Sequence, residues 1–161
     1  MQYAAQNYGR GKKDNTQHRK SQLKYREELY NEFHHCPFTQ IDEFRLLVAS
    51  HIKPYSHCKN NEDERFDVNN GLLLSKDFDS LFDLGYMTFN TDGEIIPSDV
   101  LGSDLKNHLS GFRLHRDFIN HKRMDYMRYH RNFVFNKRFS TRNVRKYVFE
   151  EESYLNAAES E

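Results

Sequence analysis

The 161-residue chain contains no tryptophan, only two cysteines and three prolines, and no long apolar run. Each shortage excludes something. A helix needs about 18 or more successive apolar residues to cross a bilayer, and none occurs here, so no membrane association is expected. The two cysteines, Cys36 and Cys58, are too few for a disulfide framework. The opening "MQYAAQNYGRGKK" lacks the apolar stretch of a secretory signal. These features together predict a cytoplasmic protein. Without tryptophan, 13 Phe and 10 Tyr must supply the bulk of the core.

Excess charge of either sign is also lacking: 24 Lys+Arg balance 24 Asp+Glu. The balance hides a sorted distribution. Residues 1–26 carry 7 basic against 1 acidic residue, and residues 27–105 carry 5 against 16. Residues 106–147 carry 12 against 2, and residues 148–161 carry 0 against 5. Two basic flanks around an acidic middle suggest a polyanion held beside a cation-loading site. A basic helix face that merely meets solvent would leave the same trace.

Residues 1–16 read as a flexible basic arm, with Gly9 and Gly11 beside Lys12 and Lys13. From Gln17 to His35 the pattern is helical, because Tyr25, Leu29 and Phe33 fall at i, i+4 and i+8. Pro37 ends that helix. A strand is expected over 44–52, a long polar loop over 57–69 and a second strand at "GLLLS". "SKDFDSLFDLG" predicts a short helix with Ser75 as N-cap and Gly85 as its stop. "YMTFNTDGEIIPS" predicts a hairpin turning at Asp92-Gly93. Further helices are expected over 99–109 and 114–135, the latter with Ile119, Tyr126 and Phe133 at heptad spacing. The chain is thus expected to be one α+β domain over 17–147, with an acidic tail over 148–161.

Strand, loop, strand and helix bring particular residues into one neighbourhood. His51 ends the first strand, Asn70 opens the second, and Asp79 and Asp83 share a helix face, being four residues apart. Paired carboxylates offer hard oxygens suited to Mg²⁺ or Mn²⁺. A neutral imidazole can take a proton from water. Hydrolysis of a phosphodiester asks for both. Any one of these residues has an ordinary structural role available; the joint order and spacing point to chemistry.

The stretch "CPFTQ…LLVASHIKPYS…NNGLLLSKDFDSLFDLGYMTFNTDGEI" resembles the HNH endonuclease family, in the branch of restriction endonucleases and related bacterial defence nucleases. The likeness continues upstream into "QLKYREELYNEFHHC" and downstream into "YMRYHRNFVF", covering about residues 17–136. It implies a ββα-metal core over about 44–85, flanked by an N-terminal helix and C-terminal helices. By the same resemblance His51 is the general base and Asn70 the residue that braces the loop. Asp79 occupies the helix position that binds metal, with Asp83 a second candidate ligand. Ser50 stands where other members have a metal-binding Asp or His.

The function so implied is metal-dependent cleavage of DNA, in restriction or anti-phage defence. A non-catalytic nucleic-acid-binding module that keeps the same shape is the alternative. Lys53 is expected to hold phosphate, and Arg113, Arg116, Lys122, Arg123, Arg128 and Arg131 to contact the sugar-phosphate backbone. The paired CxxC knuckles of many members are missing. Cys36 and Cys58 are therefore expected to be buried as small apolar groups, without structural zinc. A homodimer, for cutting both strands, and a regulatory or immunity protein are the further partners this family class suggests.

Overall fold

A computed structural model describes residues 8–59 and 61–137, with side chains described from Thr16 onward. Helix α1 (Tyr8–Phe33) leads into strand β1 (Leu47–His51), the one-turn helix α2 (Glu62–Arg65), strand β2 (Gly71–Ser75) and helix α3 (Lys76–Asp83). Strands β3 (Met87–Phe89) and β4 (Ile95–Pro97), then helices α4 (Ser103–Leu109) and α5 (His121–Phe133), complete the order. The protein is α+β, with two separate two-stranded antiparallel sheets.

β1 and β2 pair so that His51 lies opposite Gly71 and Ser50 opposite Leu72. Both α1 and α3 pack on this pair. Tyr25, Leu29 and Phe33 of α1 are buried, the apolar stripe that the spacing predicts. Leu72, Leu73 and Leu74 are all buried as well, since helices cover β2 fully. Ser75 occupies the N-cap position of α3, without a side-chain capping bond, and the helix stops where Gly85 takes φ +78°. There the Tyr86 and Gly85 amides donate to the Leu81 and Phe82 carbonyls, the hydrogen-bond pattern of a glycine-closed helix end. The second sheet turns through Gly93 at φ +80°, and Asn90 Oδ1 accepts from the Asp92 and Glu94 amides. The buried rings of Phe38, Phe78, Phe82 and Phe89 join the two halves into one core.

Several expectations are corrected. Where residues 8–16 are described they are helical, part of α1, instead of a flexible arm. The first strand starts at Leu47, because Glu43 caps a 3₁₀ turn over Phe44–Leu46 by accepting the Arg45 amide. The polar loop holds three short turns, Tyr55–Cys58, α2 and Val68–Asn70. α5 starts only at His121, where Asn120 Oδ1 caps the Arg123 amide, and Phe133 at its end is 57% exposed. The fourth helix starts at Ser103, after Gly102. The acidic tail over 148–161 lies outside the described residues. No helix among the described residues is long and apolar enough to cross a membrane.

Candidate active site

The site forms around the last two residues of β1. Successive strand residues point to opposite faces. Ser50 therefore turns towards α3, close enough to Asp79 to influence its acidity. His51 turns towards α1, where the Tyr25 ring stacks on it at 4.8 Å and 24°. Asp83, one turn beyond Asp79, is within electrostatic reach of both His51 and Asp79. The four residues thus wrap the end of one strand.

His51 Nε2 lies 2.7 Å from the Arg65 carbonyl oxygen. A carbonyl only accepts, so Nε2 carries the proton and Nδ1 keeps the lone pair. Burial lowers the basicity of this imidazole, an effect partly opposed by the Arg65 carbonyl and the charge of Asp83. A histidine so placed is neutral at pH 7 and ready to accept a proton.

Asn70 is wholly buried and its amide group is spent on the loop between the strands. Its Oδ1 accepts from the Lys53 amide at 2.7 Å, and its Nδ2 donates to the Glu64 carbonyl at 2.8 Å. One side chain therefore closes the loop across residues 53–64 and fixes Arg65, the residue whose carbonyl holds His51. The Asn70 carbonyl accepts from Tyr25 Oη at 2.9 Å and from the Ile52 amide.

The Asp79 carboxyl is shifted above its ordinary value by burial; Ser50 counteracts this and the neighbouring Asp83 charge adds to it. Ser50 Oγ is buried without a hydrogen bond of ordinary geometry. Two carboxylates and the Ser50 hydroxyl offer hard-oxygen donors. Among the described residues no three His, Cys, Asp or Glu side chains group closely enough to cage a cation by themselves. That set fits Mg²⁺, which binds through one or two carboxylates and retains several waters.

The basic residues are distributed differently from the sequence expectation. Arg123 is corrected outright: it is 0% exposed and cannot reach a phosphate. Its guanidinium forks onto Glu32 at 2.9 and 3.1 Å and donates to the Val68 and Phe118 carbonyls. Lys53 pairs with Glu64 at 2.5 Å, Lys122 with Asp67 at 2.8 Å and Arg128 with Asp125 at 2.9 Å. Arg113 pairs with Glu94, and Arg131 donates to the Phe89 carbonyl. Arg116 is exposed. Cys36 and Cys58 are buried free thiols.

Sequence reasoning missed Tyr25, Tyr55 and Arg65. Tyr25 reads as one more apolar-face residue of α1, and Arg65 as part of a polar loop. Tyr55 meets the His51 ring edge-on at 5.7 Å. A cavity of about 1290 Å³ between Phe33, His34, Asp92 and Phe118 includes none of these residues. The chemistry-bearing residues, and not this cavity, locate the site.

A model of the HNH endonuclease family matches residues 36–90. That span runs from Cys36 to Asn90 and contains both strands of the first sheet, α3 and all four residues around the end of β1. No curated protein matches the chain.

Proposed function

With residues 36–90 belonging to the HNH endonuclease family, we propose that the protein is a metal-dependent DNA endonuclease of the restriction or anti-phage defence class. One observation carries the reading. The His51 imidazole is fixed through Nε2–H to the Arg65 carbonyl, within electrostatic reach of Asp83, leaving Nδ1 as proton acceptor. His51 takes a proton from water as the water oxygen attacks phosphorus. The P–O3′ bond breaks on the opposite side, leaving a 5′-phosphate and a 3′-hydroxyl. Asp79 and Asp83, with Ser50 beside them, would hold a divalent cation, which would supply stabilisation of the negative charge on phosphate and leaving oxygen. Asn70 and Tyr25 touch no substrate; they position His51. One such site cuts one strand, so duplex cleavage calls for two copies or two successive visits.

The test is incubation of the purified chain with supercoiled plasmid, with Mg²⁺ or with EDTA. Open-circle and linear products with Mg²⁺ alone support the reading. Salt-dependent DNA binding with no cleavage under any divalent cation would replace it with a non-catalytic binding module.

A further inference from the structure

The basic residues that the sequence offers for DNA are largely neutralised by carboxylates or buried, whereas one part-buried guanidinium beside His51 makes no ion pair among the described residues. Arg65 lies over the Tyr55 ring, its Cζ 4.4 Å from the ring centroid. Its Nε is buried without a hydrogen-bond partner, and no ion pair involving it occurs among the described residues. Glu64, the adjacent carboxylate, is already taken by Lys53. Tyr55 links this cation to the base, because the same ring meets His51 edge-on. The main chain links them again, since the Arg65 carbonyl holds His51 Nε2–H. On another edge of Tyr55 stands His18 of α1, ring centroids 5.3 Å apart. Beyond it Arg19 and Lys20 are exposed on the same helix.

We infer that Arg65, held flat by Tyr55 and flanked by His18, is a binding subsite for a backbone phosphate next to the scissile one. A planar guanidinium matches a phosphate fork-to-fork, and an aromatic ring beneath it fixes its plane. The bound strand then runs from His51 across Tyr55 towards the exposed part of α1, away from α5. Arg65 acts twice: its carbonyl orients the base, and its side chain positions the substrate. This rests on the nuclease reading, because it assigns a role relative to the reacting phosphate.

The experiment measures anisotropy of a fluorescein-labelled DNA duplex on the full chain carrying His51→Ala, over a range of NaCl concentrations. Arg65→Gln in that background should weaken binding at least tenfold and reduce the slope of log K against log[salt] by about 0.9, the equivalent of one phosphate contact. Arg65→Lys should restore the slope but not the full affinity, since an ammonium keeps the charge without the planar fork. Tyr55→Leu, which leaves the Arg65 main chain untouched, serves if Arg65→Gln does not fold, and should weaken binding several-fold. Parental affinity and slope in folded Arg65→Gln and Tyr55→Leu would overturn the subsite while leaving the nuclease reading in place, provided the native chain cleaves plasmid. A native chain that neither binds nor cleaves DNA would overturn both.

Discussion

Tyr25 holds two residues of the site at once: its ring lies on His51 at 4.8 Å and its hydroxyl donates to the Asn70 carbonyl at 2.9 Å. The two effects separate by substitution. Tyr25→Phe keeps the stacked ring and loses one hydrogen bond, which should cost about 1 kcal/mol in urea unfolding with little change in cleavage rate. Tyr25→Leu frees the imidazole on one face and should lower the cleavage rate roughly tenfold or more through misplacement of the base. Equal rates for Phe and Leu variants would show that the stacking does not position His51.

Gly71 is needed for close approach, not for an unusual backbone angle. A Cβ there would stand 2.8 Å from Leu29 Cδ1 and nearer still to the Tyr25 hydroxyl. Gly71→Ala should push α1 off the first sheet, destabilising the fold by about 1–3 kcal/mol. The cleavage rate should drop with it, because His51 sits directly opposite on β1. Denaturant unfolding and plasmid cleavage on the same preparation read both effects.

Arg123 ties α1 to the Val68 and Phe118 turns from inside the protein. Arg123→Met should destabilise by about 2–4 kcal/mol, since two buried carbonyls and Glu32 lose their partner. Glu32→Gln should cost less, because Arg123 keeps both carbonyls. In folded Arg123→Met at low temperature, the salt slope of DNA binding should be unchanged. A reduced slope would mean that Arg123 contacts phosphate after all.

His130 gives the fold an acid limit. It is buried between Thr88 Oγ1, 2.9 Å from Nδ1, and the Phe82 carbonyl, 3.0 Å from Nε2. Burial depresses its pKa to about 4. Between pH 6.5 and about 4 the unfolded chain takes up this proton and the native one does not. Stability therefore rises with pH through that window, is fully present above it, and falls by up to about 3 kcal/mol at its acid end. His130→Gln keeps a donor and an acceptor without the titration. Its unfolding free energy should change less than the parent's between pH 7 and pH 4.5.

What the sequence makes legible follows how local each signal is. α3 is bounded by its own Ser75 and Gly85, and the β3–β4 turn by Asp92-Gly93, so both can be read from short windows. His51, Asn70 and the Asp79/Asp83 pair stand out because strand ends and i, i+4 spacing are equally local. The contacts that orient them are not. Tyr25 meets His51 across 26 positions, and nothing in the helical stripe tells a stacking ring from a core ring. Arg123 looks like its exposed neighbours because its burial depends on Glu32, 91 positions away. Lys53 is legible as a cation near the base, but its partner Glu64 comes from across the loop. Charge type alone does not say whether a cation faces solvent, a carboxylate or a phosphate. The helical course of residues 8–16 runs against Gly9 and Gly11, and extension from an already formed helix, costing less than nucleation, accounts for it.

The proposed role of His51 as base is open to a single comparison of rates. The most direct measurement is the initial rate of supercoiled plasmid loss for the native chain and for His51→Ala, at saturating Mg²⁺ and equal folded fraction. His51→Ala should lower that rate about 10²–10⁴-fold with DNA binding retained. The native rate should decline only below the ordinary histidine value of 6.5, since burial holds this imidazole neutral to lower pH. A His51→Ala variant that cleaves at the native rate would contradict that role.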